Sequence, residues 1–233
     1  NGSQASGSPT PTSTATPTPT ATPTVGQYAP PAVVPTTAAV PFHWEKPAVE
    51  AQRSSYALSP QNSISLTLPF SSGFPLRGQR YESLRILNDG YLVFPASEED
   101  APPSNHCLPD LSAPNQAIYG WWAALDPTAA GSQVSTFQIG QEQFVVEFNN
   151  VPSLGTSPAY TVSFQIVLYR NGDIGLNYRH VPSREGNPPP VTIGAKARSG
   201  LFNFQVVCGT SNENFGELPQ SGQSFLIKAQ YLY

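Results

Sequence analysis

Residues 160–178, YTVSFQIVLYRNGDIGLNY, decide the fold of this chain. The turn Asn171-Gly172 divides the stretch into two halves, because Asn and Gly tolerate the positive φ that tight hairpin turns require. Apolar residues recur at every second position on both sides of the turn, at Tyr160, Val162, Phe164, Ile166 and Leu168 and then at Ile174, Leu176 and Tyr178. A period of two is typical of β-strands, so the stretch predicts an antiparallel hairpin with one face in a core.

The same pattern recurs along the chain after residue 54. The stretch SLRILNDGYLVF (83–94) places the turn Asn88-Asp89-Gly90 between two apolar runs, and NSISLTLPF (62–70) alternates apolar with hydroxyl side chains. Further strands are predicted over 117–124, 133–139, 143–148, 191–197, 202–207 and 224–232. We therefore predict an all-β fold, an antiparallel β-sandwich of about ten strands with an extended Pro/Thr-rich N-terminal arm, in preference to an up-and-down barrel.

The N-terminal 24 residues differ sharply in composition from the rest. Residues 9–24, PTPTSTATPTPTATPT, contain only Pro, Thr, Ser and Ala, and Pro removes the backbone donors that a helix or a central strand needs. The composition is that of an O-glycosylated stalk over residues 1–24, and a disordered linker is the alternative. The candidate glycosylation sites are Thr10, Thr12, Thr14, Thr16, Thr18, Thr20, Thr22 and Thr24.

Residues 25–44 form a second segment, which is apolar but contains several prolines and no charge before Glu45. Pro restricts such a segment to an edge strand or an extended arm. The arm can add to a sheet edge of another chain or lie on its own domain, and the sequence leaves both open. The residues expected to make its contacts are Tyr28, Val33, Val34, Val40, Phe42 and Trp44. The β-sandwich domain is then predicted over residues 45–233.

Composition also excludes two kinds of partner. The net charge is −4, and the sequence has no Lys/Arg cluster of the kind that binds nucleic acid. No apolar run reaches the 18 residues of a membrane span. The chain contains no Met, which favours removal of a signal peptide before Asn1 and therefore an extracellular or cell-surface location.

The two cysteines, Cys107 and Cys208, are predicted to form one disulfide in such an exported chain. The bond would close a loop of about 100 residues and contribute roughly 4–5 kcal/mol by the loop-entropy model. Two buried free thiols are the alternative.

No residue pattern predicts a catalytic centre. The nucleophile elbow Gly-x-Ser-x-Gly does not occur, and Asp126 and Glu147 have the residue type of a glycosidase pair without any pattern that brings them together. The acidic run at 98–100, with Asp110, offers oxygen ligands for Ca²⁺ but lacks EF-hand spacing and is typical of a solvated loop. We predict no catalytic residue, metal or cofactor. The histidines are far apart in sequence, at His43, His106 and His180.

Trp121 and Trp122 are the remaining candidates for a binding role. Neighbouring residues in a strand face opposite sides of the sheet, so one indole is expected in the core. The other can contact a ligand or partner at the surface, or it can lie under a loop or under the N-terminal arm.

Several stretches together resemble a known module. Their order is similar to that of a β-sandwich module of secreted bacterial proteins, which is often appended to subtilisin-like peptidases and is distantly similar to the nidogen-type extracellular domain. The resemblance spans about residues 66–208. It includes a hairpin with Tyr81, Leu84, Ile86, Gly90, Tyr91, Leu92 and Phe94, a Trp-containing strand with Trp122, Leu125 and Asp126, and a second hairpin with Phe164, Gln165, Leu168, Asn171, Gly172 and Ile174. The chain departs from the family at Ala123 and Ala124, where an acidic residue is common.

The resemblance implies a non-catalytic module of the cell exterior. We therefore predict that the chain is not an enzyme but an extracellular structural or adhesive glycoprotein. It is expected to self-associate as the subunit of a pilus-like surface filament, with its N-terminal arm packed on a neighbouring subunit. The alternative is an accessory or carbohydrate-binding module of a larger secreted enzyme, such as a peptidase.

Overall fold

The computed structural model describes residues 2, 39–58, 63–76, 78–95, 105–156, 159–183, 190–196, 203–209 and 214–229. The chain divides into two units, residues 1–34 and 35–233, and the fold described below belongs to the second. Its described residues form one 3₁₀ turn, Glu50–Gln52, and sixteen strands. The strands are β1 (Ala39–Val40), β2 (Ser54–Tyr56), β3 (Ser63–Thr67), β4 (Phe74–Leu76), β5 (Gln79–Tyr81), β6 (Ser83–Leu87), β7 (Tyr91–Val93), β8 (Ala117–Trp122), β9 (Gln133–Ile139), β10 (Gln143–Pro152), β11 (Thr161–Tyr169), β12 (Ile174–His180), β13 (Val191–Lys196), β14 (Asn203–Gly209), β15 (Asn214–Phe215) and β16 (Gln223–Ile227).

Two seven-stranded antiparallel sheets pack face to face, which confirms the predicted β-sandwich. Sheet A has the strand order β1-β16-β12-β11-β10-β9-β2, and sheet B has the order β15-β14-β13-β8-β7-β6-β3. The strands β4 and β5 form a separate small hairpin. Within the described residues, no helix is both long and apolar enough to cross a bilayer.

Both predicted hairpins are present. The strands β11 and β12 pair from Leu168 opposite Ile174, and β6 pairs with β7 from Leu87 opposite Tyr91. Gly90 closes the second turn with φ at 79°, and a Cβ there would lie 2.2 Å from the Trp121 carbonyl oxygen. The turn therefore requires glycine, both for its positive φ and for the close approach of β8.

The core lies between the two sheets and is built from the inward side chains that alternate along each strand. Its largest members are fully buried aromatic residues, and the Tyr178 hydroxyl donates a hydrogen bond across the core to the Gly120 carbonyl at 2.7 Å. Burial raises the pKa of Tyr178 well above its ordinary value, so the hydroxyl stays a donor. Gly120 lets the sheets approach closely here, because a Cβ would lie 2.6 Å from the Phe164 ring.

The strand count and several strand ends differ from the prediction. Sixteen strands replace about ten, because two-residue and three-residue strands such as β1 and β15 are too short to show an alternating pattern. The strand β10 continues to Pro152 through a bulge after Phe148, and β8 ends at Trp122 rather than at residue 124. The closing strand is the short β16, Gln223–Ile227.

The last residues of the predicted arm belong to the sandwich. Ala39 and Val40 form β1, which pairs with Phe225 and Ser224 at the edge of sheet A. Over these residues the arm lies on its own domain, one of the two alternatives that the sequence left open. The other predicted sites of the N-terminal region lie outside the described residues, namely Tyr28, Val33, Val34 and the threonines Thr10 to Thr24.

Candidate functional site

A row of buried polar side chains crosses the outer face of sheet A. Strand register places its five members side by side, each on a different strand. Each is at most 6% exposed, although the outer face of a sandwich sheet is ordinarily solvated. We call this row the polar seat; it consists of Ser135 on β9, Glu147 on β10, Gln165 on β11, Asn177 on β12 and Ser224 on β16.

The polar seat is buried because the chain passes over it. The strand β1 lies at one edge of sheet A and β2 lies at the other, so residues 41–53 must cross the strands between them. We call residues 41–53 the strap. Glu45 and Pro47 of the strap are buried, whereas residues 48–52 are exposed.

Gln165 holds the middle of the strap by its backbone. Its Oε1 accepts a hydrogen bond from the Glu45 N–H at 3.0 Å, and its Nε2 donates to the Glu45 carbonyl at 2.9 Å. Asn177 donates to the same Oε1 at 3.3 Å, and the N–H of His43 donates to the Ser224 hydroxyl at 3.3 Å. The seat therefore binds an extended backbone much as a neighbouring strand would.

An ion pair anchors the far end of the strap. The Arg53 guanidinium lies 2.9 Å from Glu147 Oε1, donates to the Ser135 hydroxyl at 2.9 Å, and stacks 4.7 Å from the centre of the Phe137 ring. Glu147 also accepts a hydrogen bond from Gln165 Nε2 at 2.7 Å. Both oxygens of this buried carboxylate thus accept hydrogen bonds, which is the condition for burying a charge without a large desolvation penalty.

The rest of the strap presents side chains at the surface. Trp44 is half-buried beneath the Arg179 guanidinium, 4.3 Å from the ring centre, and Arg179 donates to Asn149 Oδ1. Phe42 is 41% exposed, and the His43 ring lies 3.3 Å from the Glu45 carboxylate. The predicted arm residues Val40, Phe42 and Trp44 therefore lie along one edge of the seat. Val40 pairs with Ser224 and Trp44 contacts Arg179, so both contact their own domain.

A second covering segment lies on the outer face of sheet B. Residues 105–116 are joined to β14 by the disulfide between Cys107 and Cys208, which confirms the predicted pairing. Asn105 donates to the Thr192 hydroxyl and to the Gly209 carbonyl, and Lys196 Nζ donates to two carbonyls of the segment. Each outer face of the sandwich is therefore covered by a chain segment held by buried polar groups.

This second segment explains where the two tryptophans lie. Trp121 belongs to the inter-sheet core, while Trp122 stacks 4.9 Å from the Tyr119 ring under residues 105–116, together with Leu108 and Ala113. Both indoles are 0% exposed. One indole therefore lies in the core and the other lies under a loop, and neither ring has an accessible face in this structure.

The candidate chemical residues are engaged in structural contacts. His106 Nδ1 lies 3.2 Å from Asp110, and hydrogen bonds from Ser112, together with this histidine, lower the pKa of Asp110. Asp126 accepts hydrogen bonds from the Thr128 hydroxyl and N–H in a rim turn, on a different element from Glu147. Among the described residues, which leave out 96–104, no group of three metal-ligating side chains is present.

Sequence reasoning missed the polar seat. Gln165 and Glu147 occupy outward-facing positions of their strands, where a polar side chain normally indicates that the face is exposed to solvent. The available signal is that the next outward residues on the same strands, Val145 beside Glu147 and Val167 beside Gln165, are apolar; both are fully buried. That mixture indicates a face that is covered rather than open.

Comparison with known proteins identifies a family over most of the chain. The family model described as NIDO related matches residues 41–226, more than half of the sequence. The match begins with the strap and ends in β16, so it spans both sheets and both covering segments. Neither the curated proteins nor the solved structures include a match to this chain.

Proposed function

The chain belongs to the NIDO-related family, and from this premise we propose that it is a non-catalytic structural or adhesive module of the cell exterior. The family match indicates an extracellular-type module. The disulfide Cys107–Cys208 is consistent with that location, because such bonds persist mainly in oxidising compartments.

The observation that carries the proposal is the use that the chain makes of its buried polar groups. The polar seat binds the strap, and Asn105, Thr192 and Lys196 bind the covering segment of sheet B. These side chains hold chain segments against the sheets. That arrangement suits a durable module whose role is mechanical or adhesive.

The finer part of the proposal is self-association into a surface filament. Residues 25–38 precede β1, and we propose that this part of the arm reaches a neighbouring subunit. Tyr28, Val33 and Val34 fall within that part, and the threonines Thr10 to Thr24 precede it as the glycan-bearing stalk. The uncharged, proline-rich composition of these residues supports an extended inter-subunit segment.

Electron microscopy of the full chain and of a chain lacking residues 1–38 tests this proposal. The deletion keeps β1 and the strap, so the sandwich should fold in both. We expect polymers from the full chain and isolated particles from the truncated one. Equal polymerisation of both chains would show that residues 1–38 are not the inter-subunit contact. Intact-mass measurement of the natively secreted protein would reveal sugars on the stalk.

An accessory role in a larger secreted enzyme is the alternative function. A carbohydrate-binding version of it depended on an exposed indole at Trp121 or Trp122, and both are fully buried. The alternative therefore needs a different binding surface. Specific glycan binding by a chain that stays monomeric at all concentrations would favour it over the structural role.

A further inference from the structure

We propose that residues 39–47, which are β1 and the first part of the strap, exchange between copies of this chain. Residues 39–47 of one copy then occupy the polar seat of another. The inference rests on the proposed self-association and extends it: residues 25–38 reach the neighbouring subunit, and residues 39–47 then occupy its polar seat. The seat comprises Ser135, Glu147, Gln165, Asn177 and Ser224, and the partner it fits is a second copy of the same segment.

The first observation is a hinge between the exchanged segment and the rest of the domain. Pro47 is the last buried residue of the strap, and residues 48–52 are all exposed before Arg53 re-enters the domain. Val49 is 56% exposed, and the 3₁₀ turn Glu50–Gln52 buries no side chain. Five such residues span up to about 17 Å when extended, enough to redirect the strap away from its own seat.

The second observation is that exchange leaves no buried charge without a partner. Arg53 lies on the domain side of the hinge, so it stays with Glu147 when residues 39–47 leave. The contacts that break are the β1–β16 pairing, the contact of Trp44 with Arg179, and the hydrogen bonds that join the strap backbone to Gln165 and Ser224. Water can satisfy these groups while the seat is open, and identical bonds re-form with the strap of the second copy.

The third observation concerns specificity. Gln165 recognises only backbone groups, but β1 requires a strand beside β16, and Trp44 requires the Arg179 guanidinium over its ring. These contacts flank the seat on the side where the strap enters. The same segment from another copy satisfies all of them, whereas an unrelated extended peptide satisfies only the contact with Gln165.

Disulfide trapping between two differently tagged chains tests the exchange. One chain carries Val40→Cys and the other carries Ser224→Cys; these residues are directly opposite in the β1–β16 register, and Ser224 is only 3% exposed. After incubation and mild oxidation, we expect a covalent heterodimer whose linking peptide joins residues 40 and 224. A mixture of Val40→Cys and Leu111→Cys chains reports random collision, since Leu111 is 91% exposed.

Heterodimer formation at or below the collision control would overturn the exchange. Both cysteines placed in one chain provide the second measurement, because their disulfide locks the strap on its own seat. If exchange mediates assembly, the locked chain stays monomeric while the wild type polymerises. If the locked chain polymerises as well as the wild type, the exchange is wrong and the proposed filament role stands. If the wild type never polymerises but the heterodimer forms, the exchange holds and the filament role fails.

Shortening the hinge offers a readout without new cysteines. Removal of residues 49–51 shortens the exposed connection from five residues to two, Ala48 and Gln52, and should disfavour return of the strap to its own seat. The share of dimers should therefore rise relative to monomers in size-exclusion chromatography. A monomer with an unprotected strap, detected by hydrogen exchange, would contradict the exchange. Replacement of Val49, Glu50 and Ala51 by glycine is the control, because it changes the same residues and keeps the length of the connection.

Discussion

The side-chain amide of Gln165 bonds both backbone groups of Glu45, accepting from its N–H at 3.0 Å and donating to its carbonyl at 2.9 Å. These residues are 120 positions apart in sequence. A side chain thereby takes the part of a strand backbone, on the outer face of the central strand of sheet A. This pairing joins the first segment of the matched family region to the middle of the fold.

Replacement of Gln165 by Leu should loosen the strap without disturbing the inter-sheet core. Leu has a similar size but cannot bond Glu45, and it also removes the donor to Glu147 Oε2. We expect a loss of about 2–3 kcal/mol in the free energy of unfolding, measured with urea. Hydrogen exchange should rise at residues 43–47 more than at β8 or β12.

Gln138→Leu is the matched control for this substitution. The Gln138 amide donates to the Gly140 carbonyl at the end of β9 and is partly exposed, so its replacement should change stability by no more than about 0.5 kcal/mol. An equal loss from both substitutions, or unchanged exchange of the strap in Gln165→Leu, would show that the amide does not hold the strap.

The ion pair between Arg53 and Glu147 should behave as a buried pair. Arg53→Met leaves a 3% exposed carboxylate without its cation and is expected to cost about 3–5 kcal/mol. Adding Glu147→Gln to that variant should recover part of the loss, so the double variant is more stable than the sum of the single changes predicts. The surface pair Glu142 and Arg170 is the control, for which the coupling should stay below about 1 kcal/mol. Strict additivity at Arg53 and Glu147 would contradict the buried pair.

The disulfide should protect Trp122 specifically. Replacement of Cys107 and Cys208 by Ala removes a link across 101 positions and is expected to cost about 4–5 kcal/mol by the loop-entropy model. Because residues 105–116 cover Trp122, their release should shift part of the tryptophan emission to longer wavelength in the folded state. The same replacement in a Trp122→Phe background should show no shift, since Trp121 lies in the inter-sheet core. An emission shift that persists in the Trp122→Phe background would mean that loss of the disulfide changes the surroundings of Trp121 in the core.

The elements predicted from sequence are those that local patterns encode. The hairpin 160–178 and the turn at Asn88-Asp89-Gly90 follow from alternation and turn chemistry, and the sandwich follows from their number. The partnership of Cys107 with Cys208 followed from composition. The polar seat did not, because a polar residue on the outward side of a strand has the same sequence pattern whether water or a distant chain segment covers it. The strap residue Glu45, which covers Gln165, lies 120 positions away in sequence, so no local pattern can reveal the contact.

Asp89 should make the stability of the domain fall as the pH rises from about 4 to 6. Burial in the β6–β7 turn raises the pKa of Asp89 from 3.8 to about 6, against the opposing hydrogen bond from the Leu125 N–H. The folded state therefore keeps a proton that the unfolded chain releases between these values. The stabilisation is complete below pH 3.8, declines as the pH passes through about 6, and is constant above it.

Urea unfolding of the wild type and Asp89→Asn across this range measures the effect. The difference in free energy of unfolding should move in favour of the variant from about pH 4 to 6 and stay level above about pH 7. Asp173→Asn should change the pH dependence of stability in the opposite direction. Burial there is outweighed by hydrogen bonds from Lys228 and the Ala229 N–H, which lower the pKa of Asp173, so the stability it contributes is lost as the pH falls. Parallel curves for the wild type and Asp89→Asn would mean that the carboxyl group of Asp89 is hydrated in the folded protein.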